Sequence, residues 1–156
     1  MVESRTIIKP LQFETYLALI ENSVGSYLFK NLYVEINGVK KDATEDGWLS
    51  CAFFASSILY ISKYIDSPHG TVDGTVRDLI KNGWEEIIAD SPEVGSVIVW
   101  KNAQGDNSHK HIGFYAGDEL AISNDSYKKH PNKNYWKFKG KRDIEKIYLN
   151  PKIKSI

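Results

Sequence analysis

The chain is poor in cysteine, has no overall charge bias and contains no long uninterrupted apolar segment. A single cysteine among 156 residues excludes an internal disulfide framework. The longest apolar run, around Cys51, is broken by serines and a lysine, which excludes a membrane-spanning helix there. The first ten residues, MVESRTIIKP, lack the basic and then apolar pattern of a secretory signal. We therefore expect a cytoplasmic protein with no membrane partner.

The formal net charge is zero, but the charges are segregated along the chain. Residues 126–156 contain ten Lys or Arg against two acids, a net charge of +8 that residues 1–125 cancel. A basic segment can attract a polyanion by releasing counterions. The aromatic residues Tyr127, Tyr135 and Trp136 among these lysines suit a nucleic-acid or glycan surface. An ordinary solvated face of strands and loops explains the composition equally well, so an anionic polymer is a possible partner of residues 126–156.

The first half of the chain has the patterns of helices. From Pro10 to about Val24, apolar residues recur at steps of three and four, which predicts an amphipathic helix ended by Gly25. A second predicted helix follows Asp46 and Ser50, both of which are plausible caps. It is apolar almost all the way round and is therefore expected to be buried. The segment TVDGTVRDLIKNG predicts a shorter third helix, and between the first two helices the pair Asn-Gly in EINGVKK predicts a turn.

The second half has the patterns of strands. Short β-rich runs separated by turn residues follow Trp84, namely WEEII, GSVIVWK, HIGFYAG, ELAIS, NYWKFK and DIEKIYL. Helices followed by an antiparallel sheet predict an α+β fold, with the buried cysteine-bearing helix packed on the C-terminal sheet. No internal repeat or linker divides the chain, so we expect one domain over residues 1–156.

Cys51 lies at the predicted start of the buried helix. The thiolate is the attacking form of cysteine, and the free N–H groups and dipole of a helix start favour negative charge. The same N–H groups can stabilise the oxyanion that forms when a carbonyl is attacked. A lone buried cysteine is also a common core residue, so this stretch alone leaves both interpretations open.

Among the four histidines, His111 is the best candidate for a base. It opens the strand HIGFYAG, whereas His69 and His130 lie in predicted loops. A rigid strand can hold an imidazole against a helix terminus better than a loop can. We expect a group at the end of the next strand to orient the ring by accepting its second N–H. The candidates are Ser123, Asn124 and Asp125.

A metal site is a third interpretation of the same residues. His109 and His111 are two positions apart and would share a strand face, and Cys51 could be a soft ligand. Further ligands would have to come from His69 or His130, in loops of unknown position. We therefore predict no metal and no other cofactor.

Three stretches together resemble the NlpC-type cysteine peptidases and the related CHAP-type amidases of the papain-like superfamily. They are LSCAFFASSILY (49–60), GSVIVW (95–100) and HIGFYAGDELAISN (111–124), which order roughly residues 45–150. The resemblance implies a papain-like fold, a nucleophile at Cys51 and a general base at His111. It places the third polar residue at Ser123 or Asn124. We prefer Asn124, because an amide orients imidazole better and related enzymes use Asn in this role.

The chain departs from the family pattern at the nucleophile. NlpC-type enzymes have Asp-Cys-Ser-Gly where this chain has Ser50-Cys51-Ala52-Phe53. Together with the absent export signal, this departure argues against a peptidoglycan substrate more than it argues against cysteine catalysis. Delivery by a phage or an export system would remove the objection based on the export signal.

The function implied by the resemblance is cysteine-dependent hydrolysis of a peptide or amide bond through a thioester, with acyl transfer as a variant. The residues expected to line the substrate site are Trp48, Ser50, Tyr115 and Ser123. The alternative is a non-catalytic binding module of the same fold that uses its basic C-terminal segment to hold an anionic polymer.

Overall fold

A computed structural model describes residues 3–88, 90–102 and 109–155. The helices in this part of the chain are α1 (Gln12–Asn22), α2 (Cys51–Ile61) and α3 (Val72–Lys81). The strands are β1 (Tyr33–Ile36), β2 (Val39–Asp42), β3 (Glu85–Ile87), β4 (Val97–Trp100), β5 (His111–Gly117), β6 (Leu120–Asp125), β7 (His130–Tyr135) and β8 (Ile144–Leu149). Short 3-10 helices span Phe138–Gly140 and Pro151–Ser155.

All three predicted helices are present, although α1 ends at Asn22, two residues earlier than expected. Helix α3 begins after Thr71, whose hydroxyl accepts a hydrogen bond from the Gly74 N–H at 3.0 Å. Of the two predicted caps, Ser50 is the N-cap residue of α2, but its side chain makes no capping hydrogen bond, and Asp46 lies outside the helix start. Ser50 Oγ donates to the Phe29 carbonyl, and Asp46 pairs with lysine side chains instead.

Six strands form one antiparallel sheet in the order β3-β8-β4-β5-β6-β7. Strands β1 and β2 form a separate hairpin. Its turn is the predicted pair Asn37-Gly38, both with positive φ (51° and 80°), the conformation of a two-residue hairpin loop that matches strand twist. The predicted α+β architecture is confirmed.

The last part of the sheet differs from the prediction for NYWKFK. Strand β7 ends at Tyr135, and the Phe138–Gly140 segment is a tight turn in which Phe138 and Lys139 both have positive φ. The reason is register. The turn after β6 pairs Asp125 with His130, so the strand begins upstream of the aromatic run.

The sheet has an apolar cluster on each face, because side chains alternate along each strand. On one face, Ile112, Phe114 and Ile122 pack against Phe54 and Ala55 of α2. The other face carries a smaller cluster made by Ile98, Trp100, Ala121, Trp136 and Ile147. Helix α2 is therefore held with its first residue beside the start of β5.

Candidate active site

Cys51 is the first residue of α2, where backbone N–H groups have no helical partners. The Phe54 N–H bonds the Ser50 carbonyl at 2.9 Å, so the N–H groups of Cys51 and Ala52 precede the helical ladder. The Cys51 sulfur lies 3.9 Å from the Lys110 carbonyl oxygen. The Ile112 N–H also interacts with it. These two backbone groups flank His111.

The sulfur lies where the β5–β6 ladder is open. The Tyr115 N–H bonds Ser96 O, on the β4 side of β5. Because strand backbone groups alternate in direction, the Lys110 carbonyl and the Ile112 N–H face β6. Pairing between β5 and β6 begins one residue later, at Gly113 opposite Ser123. The sulfur thus lies beside backbone groups that would hydrogen-bond to β6 if the pairing of β5 with β6 extended further.

The structure joins His111 to Ser123. The imidazole Nε2 lies 2.8 Å from Ser123 Oγ. The ring also packs against Trp100 and Phe138, with centroids 5.2 Å and 5.8 Å away. These contacts fix the orientation of the imidazole on the face of the sheet opposite to α2.

Asn124, which we preferred as the orienting residue, has a different partner. Its Nδ2 donates to the Gly47 carbonyl at 3.0 Å, and its side chain is buried. The reason is strand alternation. With Gly113 paired to Ser123, residue 123 shares a face with His111 and residue 124 points to the other face. The third candidate, Asp125, accepts hydrogen bonds from the N–H groups of the following turn.

Gly113 allows the two strands to approach closely at this point. A Cβ at position 113 would lie 2.6 Å from both the Ile122 carbonyl oxygen and Ser123 Cβ. Any larger residue would therefore push β6 away from β5. The hydrogen bond between His111 and Ser123 depends on this spacing.

Burial leaves both the Cys51 thiol and the His111 imidazole neutral. Burial raises the pKa of the Cys51 thiol, although the N–H groups of Ile112 and Ala52 and the charge of Arg142 oppose this. The expectation that a helix start makes this thiol acidic is thus wrong, because desolvation outweighs the N–H groups. Burial also lowers the pKa of His111 from 6.5 to about 3, and the Arg142 charge adds to this. At neutral pH both the thiol and the imidazole are therefore uncharged.

Cys51 is half-buried and opens into a cleft of about 730 Å³. Most of the walls are apolar, and they come from the hairpin, the segment before α2 and the start of α3. Lys110 and His109 line the same cleft. The sequence singles out His109 only as a possible metal ligand, and its position two residues before His111 is the one signal that points to this site.

Three residues predicted to line the substrate site are not among the cleft residues. Trp48 is 45% exposed and packs against Tyr127. Ser50 is buried beneath the helix start, and Tyr115 packs against Trp136 on the far face of the sheet. The fourth, Ser123, belongs to the site through its bond to His111 and not through the cleft.

The histidines do not converge on a metal. In the described residues no group of three or more His, Cys, Asp and Glu side chains could hold an ion. His109 lines the cleft while His111 packs on Trp100. His69 Nε2 lies 2.6 Å from Asp78 Oδ2, and His130 Nδ1 donates to the Pro131 carbonyl.

The basic C-terminal segment is partly balanced in space by acids from earlier in the chain. Among its described residues, ion pairs join Lys129 to Asp46, Lys133 to Glu21 and Lys146 to Glu86. These pairs reduce the positive field that a polyanion would meet. Within residues 3–88, 90–102 and 109–155, no helix combines the length and apolarity needed to cross a bilayer.

No protein-family model matches the sequence, and no curated protein matches it significantly.

Proposed function

We propose that this protein is a cysteine-dependent hydrolase of a peptide or amide bond, with the papain-like, NlpC-like arrangement that its sequence resembles. One observation carries the proposal. The first residue of α2 places its sulfur at the open end of the β5–β6 ladder, beside the backbone of His111, while Ser123 holds the imidazole. The sulfur also opens into a cleft large enough for a small ligand.

The first half of the reaction forms a thioester. The His111 Nε2–H donates to Ser123 Oγ, which leaves the lone pair of Nδ1 free to accept a proton. In this proposal a water molecule at the start of β5 relays the thiol proton to Nδ1 as the sulfur attacks the substrate carbonyl carbon, because the imidazole lies on the sheet face opposite to α2. The N–H groups of Cys51 and Ala52 stabilise the oxyanion. His111 then gives its proton to the leaving nitrogen, the C–N bond breaks, and an amine departs.

The second half releases the acyl group. Nδ1 takes a proton from water, the resulting hydroxide attacks the thioester carbonyl, and the C–S bond breaks with return of the proton to sulfur. The products are a carboxylic acid and the original thiol. An amine in place of water gives acyl transfer by the same steps.

The neutral resting state determines how the base acts. With the thiol pKa raised and the imidazole pKa lowered, little thiolate–imidazolium pair exists before substrate binds. Proton transfer therefore accompanies attack. General base catalysis of this kind contributes about 10²–10⁴-fold to rate.

The test is hydrolysis of a panel of N-acyl aminocoumarin amides at neutral pH. Cys51→Ala should abolish turnover, and His111→Ala should slow it by about 10²-fold or more. The matched control is His130→Ala, which removes a histidine at the start of β7, outside the cleft, and should stay close to the parent rate. Equal rates for the parent and His111→Ala would refute the proposal. An unreactive Cys51 with salt-dependent polyanion binding would support the non-catalytic module instead.

A further inference from the structure

The walls of the Cys51 cleft are mainly aliphatic. Leu32 and Val34 come from the β1–β2 hairpin and the residue before it, Leu49 precedes α2, and Val72 begins α3. Three separate segments thus present apolar side chains to one space. At about 730 Å³, this cleft lies within the usual range of small-ligand sites.

The cationic side chain in this cleft is already matched by acids. Lys110 Nζ lies 3.2 Å from a Glu145 carboxylate oxygen and 3.7 Å from an Asp73 oxygen. A negatively charged substrate group would have to compete with both carboxylates for this lysine. Charge in the cleft therefore disfavours an anionic occupant, and the aliphatic walls favour an apolar one.

The sulfur defines which part of a substrate occupies this space. Cys51 itself lines the cleft, so a group bonded to the sulfur must extend along its walls or out to solvent. Resting on the proposed function, we propose that the substrate is an amide whose acyl part is an uncharged aliphatic group. The apolar walls then bind the acyl chain, and the amine part departs.

The binding affinity is expected to rise steeply with the length of the acyl chain. Burial of one methylene in an apolar environment strengthens binding by about fourfold. Binding should therefore improve by about this factor for each added methylene until the chain reaches the mouth of the cleft. A charged group at the end of the acyl chain should lower the affinity, because the desolvation of the charge is unfavourable.

The experiment measures the binding of butanamide, hexanamide and octanamide to Cys51→Ala by calorimetry, with adipamate, a carboxylated amide of hexanamide's length, as the comparison. Circular dichroism and thermal unfolding establish that this variant is folded. We expect Kd to fall by about fourfold per methylene and adipamate to bind more weakly than hexanamide. Affinity that is independent of chain length, or tighter binding of adipamate, would overturn the inference.

Two hairpin variants locate the binding surface. Val34→Ser, introduced into Cys51→Ala, changes a cleft residue and should weaken octanamide binding several-fold. Val39→Ser is the matched control, because Val39 is 56% exposed on the same hairpin and does not line the cleft. Equal effects of the two changes would contradict the assignment of this cleft.

Turnover separates this inference from the proposed function. Chain-length-dependent binding without hydrolysis of any N-acyl amide by the parent would refute the proposed function and support the aliphatic ligand. Hydrolysis whose rates and affinities do not depend on chain length would support the proposed hydrolase function and overturn the aliphatic specificity.

Discussion

Acidification should destabilise this protein through His111 well before its carboxylates titrate. The folded-state pKa of His111 is about 3, against an ordinary value of 6.5. The unfolded chain therefore binds this proton more tightly than the folded one. The stability contributed by the neutral ring is complete above about pH 6.5, decreases as the pH falls below that value, and is lost at about pH 3.

The magnitude follows from the two pKa values. Between pH 7 and pH 5 the unfolded imidazole becomes protonated while the folded one stays neutral, which costs about 2 kcal/mol of unfolding free energy. The carboxylates with lowered pKa values, Asp42 and Asp78, remain charged over this range and do not contribute. The change in stability across this window therefore reports on histidine.

The assay is urea unfolding at pH 7, 6 and 5, followed by tryptophan fluorescence. The parent is compared with His111→Gln, whose amide cannot titrate and can still hydrogen-bond to Ser123. The other three histidines are unchanged in both proteins, so the difference between the two pH profiles isolates His111. We expect the parent to lose about 2 kcal/mol more than the variant over this range. Parallel profiles would show that the ring is not held neutral by burial and would refute this reasoning.

Three further substitutions test the contacts around the site. Gly113→Ala should lower the unfolding free energy by about 1–3 kcal/mol in urea titrations. The reason is that the alanine Cβ would lie 2.6 Å from Ile122 O and Ser123 Cβ. An unchanged midpoint of unfolding would argue against close contact between β5 and β6. Ser123→Ala should slow amide hydrolysis while costing only about 1 kcal/mol of stability; unchanged turnover would remove Ser123 from the site. Asp42→Ala should destabilise by about 2 kcal/mol or more, because its carboxylate accepts hydrogen bonds from four residues. Its lowered pKa also predicts that this stabilisation is present above about pH 4 and lost below it, so calorimetry at pH 3 should show less difference between parent and variant.

Local patterns in the sequence predict much of the fold. Helix α2 begins at Cys51 because an apolar run follows a polar turn, and the Asn37-Gly38 pair specifies a hairpin loop. The strand at His111 follows from alternation of apolar residues between turn signals. Each of these features depends on neighbours within a few residues, which a sequence displays directly.

The partner of His111 depends on register and not on side-chain chemistry alone. Preference for an amide over a hydroxyl led to Asn124, but the pairing of Gly113 with Ser123 turns residue 124 to the other face. Alternation along the hairpin could have shown this before the structure. The pKa values could not have been predicted in this way, because desolvation depends on packing by residues distant in sequence, as Phe138 is from His111. The cleft walls contributed by the β1–β2 hairpin are equally non-local.

The first turnover of the protein with 4-nitrophenyl acetate at pH 7 tests directly whether His111 activates Cys51 as a nucleophile. Release of nitrophenolate and the intact protein mass together report acylation of Cys51 without any knowledge of the natural substrate. We expect one acetyl group on Cys51, formation slowed by about 10²-fold or more in His111→Ala, and a rate near that of the parent in His130→Ala, whose histidine lies outside the cleft. Acetylation that is equally fast without His111, or a Cys51 that stays unmodified until the protein unfolds, would contradict it.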